Sequence, residues 1–336
     1  IPVMILAGYQ LFTYVLYGRG LLSDAASYAT RVGWCGSTTF FWKLLTGLSF
    51  CGGCMLTVLF YIPLLYSRRF IIVLVLPAIL AMFAINFVER IGEFEVCNSD
   101  CIKWGFAIQF GIMITAGTSV LGLAITDFWK RRDADSLLLL LWIFGTFIFA
   151  SLINWTINAR SLLPMIPAAG ILMVRRLDQR NTDENRIGMW RILWPILPAA
   201  VIAVSVCWAD YTLANSARIA ARNICKTIAN ETGKIWFEGH WGFQYYMEAA
   251  GGTALNFKNP PSHHKDIIII PTNNTNLHPL PEGLAIQNGI FEIGLLRWAG
   301  TMSNPLGAGF YTDIWGPLPF AIGTVEKERY LIFTLK

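Results

Sequence analysis

Four stretches of the 336-residue chain carry side chains able to do chemistry on a charged or sugar-like ligand. Residues 18–50 hold Arg19, Asp24, Arg31, Trp34 and Lys43 among Gly, Ser, Thr and aromatics. Basic groups suit a phosphate and an indole face suits a sugar ring, which makes Arg19, Lys43, Asp24 and Trp34 one candidate site. The same residues also fit an amphipathic helix lying on a bilayer. Asn158-Ala-Arg160 closes a short turn ahead of Ser161-Leu-Leu-Pro-Met-Ile-Pro167. Arg160, held between that turn and a proline-constrained helix, offers a fork of donors to a phosphate or reaches to lipid headgroups. Glu89, Glu93, Glu95 and Asp100 could ligate a divalent cation, work as acid and base, or simply solvate their loop. The run from Trp236 to Tyr246 presents Glu238, His240, Trp241 and Gln244, suited to sugar rings or to sealing a domain against a membrane surface.

The seven cysteines and four histidines point less clearly to a metal. Cys51-Gly-Gly-Cys54 has redox or zinc spacing, but it lies in an apolar run without acids or histidines, where small residues serve close helix packing. Cys97 and Cys101 flank Asn98-Ser-Asp100, and an oxidising compartment would allow a structural disulfide between them. His240, His263, His264 and His278 lack the i, i+4 spacing and acidic partner of a zinc helix. No Gly-rich phosphate loop, dinucleotide fingerprint or internal repeat is visible in the sequence.

These residues must be positioned by a largely apolar scaffold. Hydrophobic residues make up 55% of the chain and charged ones only 14%, against roughly 25% in an ordinary soluble protein. The 26 Lys+Arg and 21 Asp+Glu give a net charge of +5, and the basic residues lie between apolar runs instead of forming one face. That distribution argues against a nucleic-acid partner. A helix crossing a bilayer core of roughly 30 Å needs about 20 mostly apolar residues. Seven segments qualify as candidates: 1–17, 44–66, 70–87, 104–125, 137–153, 161–174 and 192–208. The sixth is short and carries Pro164 and Pro167, as a broken or re-entrant helix would.

The loops around Arg68-Arg69, around Lys130-Arg131-Arg132 and from Arg175 to Arg191 hold ten basic residues in about 31 positions. Residues 18–43, 88–103 and 154–160 hold six in about 49, so the second set is expected outside the cytoplasm. After Trp208 the texture changes. Residues 209–336 contain ten basic and ten acidic side chains and no run long enough to span, which predicts an extracytoplasmic soluble domain. Leu213, Ala217, Ala220 or Ala221, Ile224 and Ile228 mark an amphipathic helix over 210–230. Short β-prone runs at 234–237, 266–270 and 330–335, with a helix over 240–250, predict a small α/β layer. Residues 256–264 and the Pro-rich 271–283 read as surface loops. The expected fold is therefore a polytopic α-helical membrane domain over 1–208 followed by a small C-terminal α/β soluble domain over 209–336.

Three places resemble the polyprenol-phosphate-dependent glycosyltransferases of the GT-C superfamily, in the branch of bacterial protein-mannosyltransferase-like and aminoarabinose-transferase-like enzymes. They are Tyr17-Gly-Arg19 through Trp34 to Thr38-Thr-Phe-Phe-Trp-Lys-Leu-Leu-Thr-Gly47, Asn158-Ala-Arg-Ser-Leu-Leu-Pro-Met-Ile-Pro167, and Ile235-Trp-Phe-Glu-Gly-His-Trp-Gly-Phe-Gln-Tyr-Tyr246. Ser161 departs from the pattern, standing where the family has an aromatic. The resemblance implies a multi-pass enzyme of the bacterial inner membrane that transfers a sugar, by inversion, from a polyprenyl phosphate to an acceptor glycan, lipid or protein. Arg160, with Arg19 and Lys43, would then bind the donor phosphate, and Trp34, Asp24, Glu238, His240 and Trp241 the substrate. The chain opens at Ile1 and is read as the C-terminal piece of a longer protein, with the family's carboxylate base upstream of it. A transporter or flippase, and a non-catalytic membrane assembly protein, are the competing classes. Charge-free span interiors and the absence of a second broken helix weigh against transport.

Overall fold

The computed structural model describes residues 2–27, 40–85, 87–91, 94–98, 101–183, 188–228, 233–257, 263, 265–275, 277–281 and 283–335. The chain divides into two compact units. The first comprises Ile1–Ala199 together with Gly307–Pro319, and the second Ala200–Leu306 together with Phe320–Lys336. The boundary falls nine residues earlier than the expected one after Trp208, and lies within a single helix, Ile196–Ile228, that carries both the last apolar run and the amphipathic stretch after it. The second departure from the expected boundary is Gly307–Pro319, which leaves the C-terminal region and folds into the first unit.

The first unit is helical: α1 (Pro2–Tyr17), α2 (Phe40–Cys54), α3 (Thr57–Leu65), α4 (Arg68–Ile85), α5 (Trp104–Arg131), α6 (Ala134–Ile148), α7 (Ala159–Leu162), α8 (Ile166–Asp183) and α9 (Met189–Leu193), with α10 (Ile196–Ile228) leading out of it. Four helical stretches are long and apolar enough to cross a membrane: Arg68–Ile85, Trp104–Arg131, Ala134–Ile153 and Met189–Thr227. The candidate span 44–66 becomes the pair α2 and α3, bent by 89° after Gly52-Gly53. Segment 1–17 forms a shorter apolar helix, and 161–174 is indeed interrupted, passing from α7 through a 3-10 turn at Leu163–Met165 into α8.

α5 is the spine, packing against α2, α4, α6 and α8. Glycine makes the α2–α5 contact close. A Cβ at Gly52 would lie 1.8 Å from the Met113 carbonyl oxygen, and one at Gly117 would lie 2.1 Å from that of Leu48. Cys51 and Cys54 are free thiols beside this contact, so the Cys-Gly-Gly-Cys stretch is a packing element. At 28 residues, α5 is about 42 Å long. It carries exposed Trp104 at one end and exposed Trp129 at the other. Beside Trp129, buried Asp127 accepts from Arg175 at 3.1 Å and pairs with Arg131 at 3.2 Å, while Arg176 Nε donates to the Leu65 carbonyl at 2.9 Å. α6 begins there too, with Asp133 and Ser136 forming a capping box. The long apolar helices keep broad exposed faces, including Leu138 and Leu141 on α6 and Val201 and Val204 on α10.

The second unit is an α/β layer built on β1 (Ile235–Phe237), β2 (Thr253–Ala254), β3 (Ile267–Pro271), β4 (Ala285–Ile293) and β5 (Glu328–Leu335), in sheet order β2-β1-β3-β5-β4. β1 runs parallel to β2 and β3, and β5 runs antiparallel to β3 and β4. β3 is buried along its whole length, so isoleucine serves both faces. Ile267 and Ile269 meet Ala220, Ala221, Ile224 and Phe243, while Ile268 and Ile270 meet Leu335 on the other side. The predicted helix face of 210–230, strands 234–237, 266–270 and 330–335, and a helix over 240–250 (α11, Trp241–Ala249) are all present within a few residues.

Candidate functional site

Arg160 sits on α7, a single helical turn whose start is fixed by Asn158. The Asn158 side chain accepts from the Ser161 backbone N–H and from Ser161 Oγ, both at 3.0 Å. The turn is short because π-helical Phe149–Ile153 and the bend at 154–156 precede it and Pro164 follows. Arg160 is exposed and makes no ion pair among the described residues. Its guanidinium is thus open to an anion.

α2 packs against α7, which brings the Lys43 end of α2 towards the same corner. A third charged residue joins them from the other end of the sequence. Asp313, in the returning segment, accepts from Thr156 Oγ1 at 2.7 Å and from the Ile157 backbone N–H at 2.9 Å, and its own N–H donates to the Ile157 carbonyl. Thr156 and Thr312 hydroxyls bond at 2.7 Å, and the Ala159 N–H donates to the Phe310 carbonyl. Burial pushes the Asp313 carboxyl above its usual range, and the nearby Lys43 ammonium works in the opposite direction. One corner of the first unit therefore gathers Lys43, Asp313 and the Arg160 turn. Gly307, at φ +72°, lets the returning chain pass Phe94 and Phe106, where a Cβ would lie 3.0 Å and 3.2 Å from the rings.

The other members of the predicted site are distributed differently. Arg19 and Asp24 form a pair at 3.6 Å, both side chains well exposed, near the end of α1. Gln10 organises that end by accepting from the Leu22 and Ser23 backbone. Trp34 and Arg31 lie outside the described residues, as do Glu93, Asp100 and the Cys97 and Cys101 side chains. Glu95 pairs with Arg90, which holds its carboxyl below the usual range. Among the described residues no group of three or more His, Cys, Asp or Glu side chains could hold a metal ion.

Glu238, His240 and Trp241 fall in the second unit, at the carboxyl end of β1 and the start of α11. Glu238 is buried, whereas His240 and Trp241 are exposed. His240 N–H donates to Asn274 Oδ1 at 3.1 Å, and Asn274 Nδ2 returns a bond to the His240 carbonyl at 3.3 Å. Gln244 donates to Glu248 along the helix. Two partners were hidden in the sequence. His278 came from a Pro-rich loop with no periodic signal, and Asp313 from a Gly- and aromatic-rich stretch that, in hindsight, is less polar than the domain around it.

Comparison of the chain with protein-family profiles, with curated proteins and with solved structures finds no match.

Proposed function

We propose that the chain serves an integral-membrane glycosyltransferase that moves a sugar from a polyprenyl-phosphate donor to an extracytoplasmic acceptor, with inversion. The observation that carries this reading is the corner formed by the Arg160 turn, Lys43 and the returning segment. It places two cations at one end of a bundle whose other end holds Asp127, Arg131, Arg175 and Arg176. A polyprenyl phosphate needs this arrangement, a cationic headgroup site at the end of apolar helices along which an isoprenoid tail can lie.

The α5 tryptophans support a membrane-spanning placement. Trp104 and Trp129 are 25 residues apart, about 38 Å along the helix, close to the distance between the two interfaces of a bilayer.

In the proposed reaction a carboxylate takes the proton of an acceptor hydroxyl as its oxygen attacks the sugar C1. The C1–O bond to phosphate breaks, and polyprenyl phosphate leaves with the bonding electrons. Arg160 and Lys43 hold the phosphate oxygens as that charge develops. Asp313 is engaged by Thr156 and Ile157, so it serves as a clamp and not as the base. In the intact protein, Arg160→Ala should lower kcat/KM for transfer from a polyprenyl-phosphate sugar by about 10²-fold or more, with the fold retained. Unchanged turnover would reject the phosphate role.

A further inference from the structure

We infer that the second unit carries a saccharide-binding crevice between the loops that follow β1 and β3, with Trp241 as its platform and the Glu238–His278 pair as its polar end. The topology selects the place. From β1 the chain passes through α11 to β2 on one side, then returns to β3 on the other. The loops leaving β1 and β3 therefore diverge, and in open α/β sheets such a switch point at the carboxyl ends of parallel strands is where ligands bind.

The side chains at that point are arranged at a cost. Trp241 has φ +65°, a left-handed backbone that bulky residues rarely adopt, and Gly239 beside it has φ +125°. The strained tryptophan is not filling a core, since it is 70% exposed. Its indole Nε1 donates to Thr275 Oγ1 at 3.0 Å, while the reciprocal His240–Asn274 bonds tie the two loops together. An exposed aromatic face fixed in this way suits the C–H face of a sugar ring.

The polar end has a definite donor and acceptor character. Glu238 is only 7% exposed, and its Oε1 accepts from the His278 backbone N–H at 2.6 Å and from His278 Nδ1 at 2.9 Å. Its Oε2 is buried with no hydrogen-bond partner. A buried carboxylate oxygen without a donor is costly, and such costs concentrate at binding sites. In the neutral imidazole, donation from Nδ1 makes Nε2 an acceptor, on a ring that is 67% exposed and lies 5.3 Å from the Phe257 ring. The exposed His278 Nε2 calls for a ligand that brings a donor, which a sugar hydroxyl supplies, whereas a phosphate or carboxylate, bearing acceptors only, does not. This separates the crevice chemically from the phosphate corner at Arg160. That the saccharide is the transferase acceptor rests on the function proposed above; that the crevice binds one does not.

Saturation-transfer NMR on the intact protein in detergent tests the inference, using methyl glycosides of mannose, glucose, galactose and arabinose as probes. At least one glycoside should receive saturation from the protein. Trp241→Gly, which suits the left-handed backbone and removes the ring, should weaken that binding by about tenfold or more with unchanged circular dichroism. His278→Ala should do the same. No transfer to any glycoside, undiminished transfer in Trp241→Gly, or binding of n-butylammonium in place of the sugars would overturn the inference. Because binding is read directly, loss of sugar transfer with intact glycoside binding would count against the transferase reading alone.

Discussion

The Asp313 carboxylate accepts a hydrogen bond from Thr156 Oγ1 at 2.7 Å, joining residues 157 positions apart in sequence. Through this bond the first unit recruits a segment that follows most of the second unit in the chain. Thr156→Cys combined with Thr312→Cys, at positions whose threonine hydroxyls lie 2.7 Å apart, should form a disulfide under mild oxidation, read by mass spectrometry of the linked peptides. In that background Asp313→Ala leaves the Ile157 backbone N–H without its acceptor. At about 1–3 kcal/mol for a buried polar group left without a partner, the substitution should slow or abolish the cross-link. A cross-link yield unaffected by Asp313→Ala would show that the carboxylate does not hold the segment.

Glycine contacts between α2 and α5 give a second expectation. Gly52→Ala or Gly117→Ala places a methyl group within about 2 Å of backbone carbonyl oxygen, which cannot move like a flexible side chain. Each should lower the melting temperature of the purified protein in detergent by several degrees or prevent its accumulation. Gly145→Ala, with nothing within 4 Å of the new Cβ, should be neutral or slightly stabilising. Equal melting temperatures for all three would remove close packing as the role of the Cys-Gly-Gly-Cys stretch.

Glu328 makes the stability of the second unit fall as pH rises. Burial pushes its carboxyl from 4.5 up to about 7, with Asn273 donating at 3.3 Å. Between those values the folded state keeps a proton that the unfolded state has released. Stability is therefore greatest below about pH 4.5 and is lost progressively up to about pH 7, by at most about 3 kcal/mol. Hydrogen exchange of the β5 amides, corrected for intrinsic rates, should show this slope, and Glu328→Gln should flatten it. A slope that survives Glu328→Gln belongs to another group.

The ion cluster at the far end of α5 is structural on this account. Asp127→Ala would leave Arg175 and Arg131 facing each other without their shared carboxylate, at a cost of about 3 kcal/mol or more for a broken buried pair. The expected result is a lower melting temperature together with unchanged KM for a lipid-linked sugar. A raised KM would bring that end into the substrate path.

Much of the fold was legible wherever it depends on local pattern. Ala217, Ala220 and Ile224 announced the face of α10 that enters the α/β core, and alternating requirements on both sides of β3 produced its run of isoleucines. Pro164 and Pro167 marked the interruption between α7 and α8. What stayed hidden is non-local. β4 carries Asn288 and Gly289 and is half-exposed at a sheet edge, so its sequence lacks a clean alternation. The clamp between Asp313 and Thr156 depends on a chain return that no window of neighbouring residues encodes. Arg19 and Asp24, grouped with Lys43 by their stretch of sequence, pair with one another instead. His278 had no signal at all, because its role comes from Glu238, 40 positions away at the end of β1.

The most direct measurement is photo-cross-linking of the intact protein with a benzophenone-bearing polyprenyl phosphate, followed by peptide mapping. Adducts are expected on peptides containing Lys43 and residues 156–162, and are lost in Arg160→Ala. Adducts concentrated around Arg131, Arg175 and Arg176, or labelling indifferent to Arg160→Ala, would contradict it.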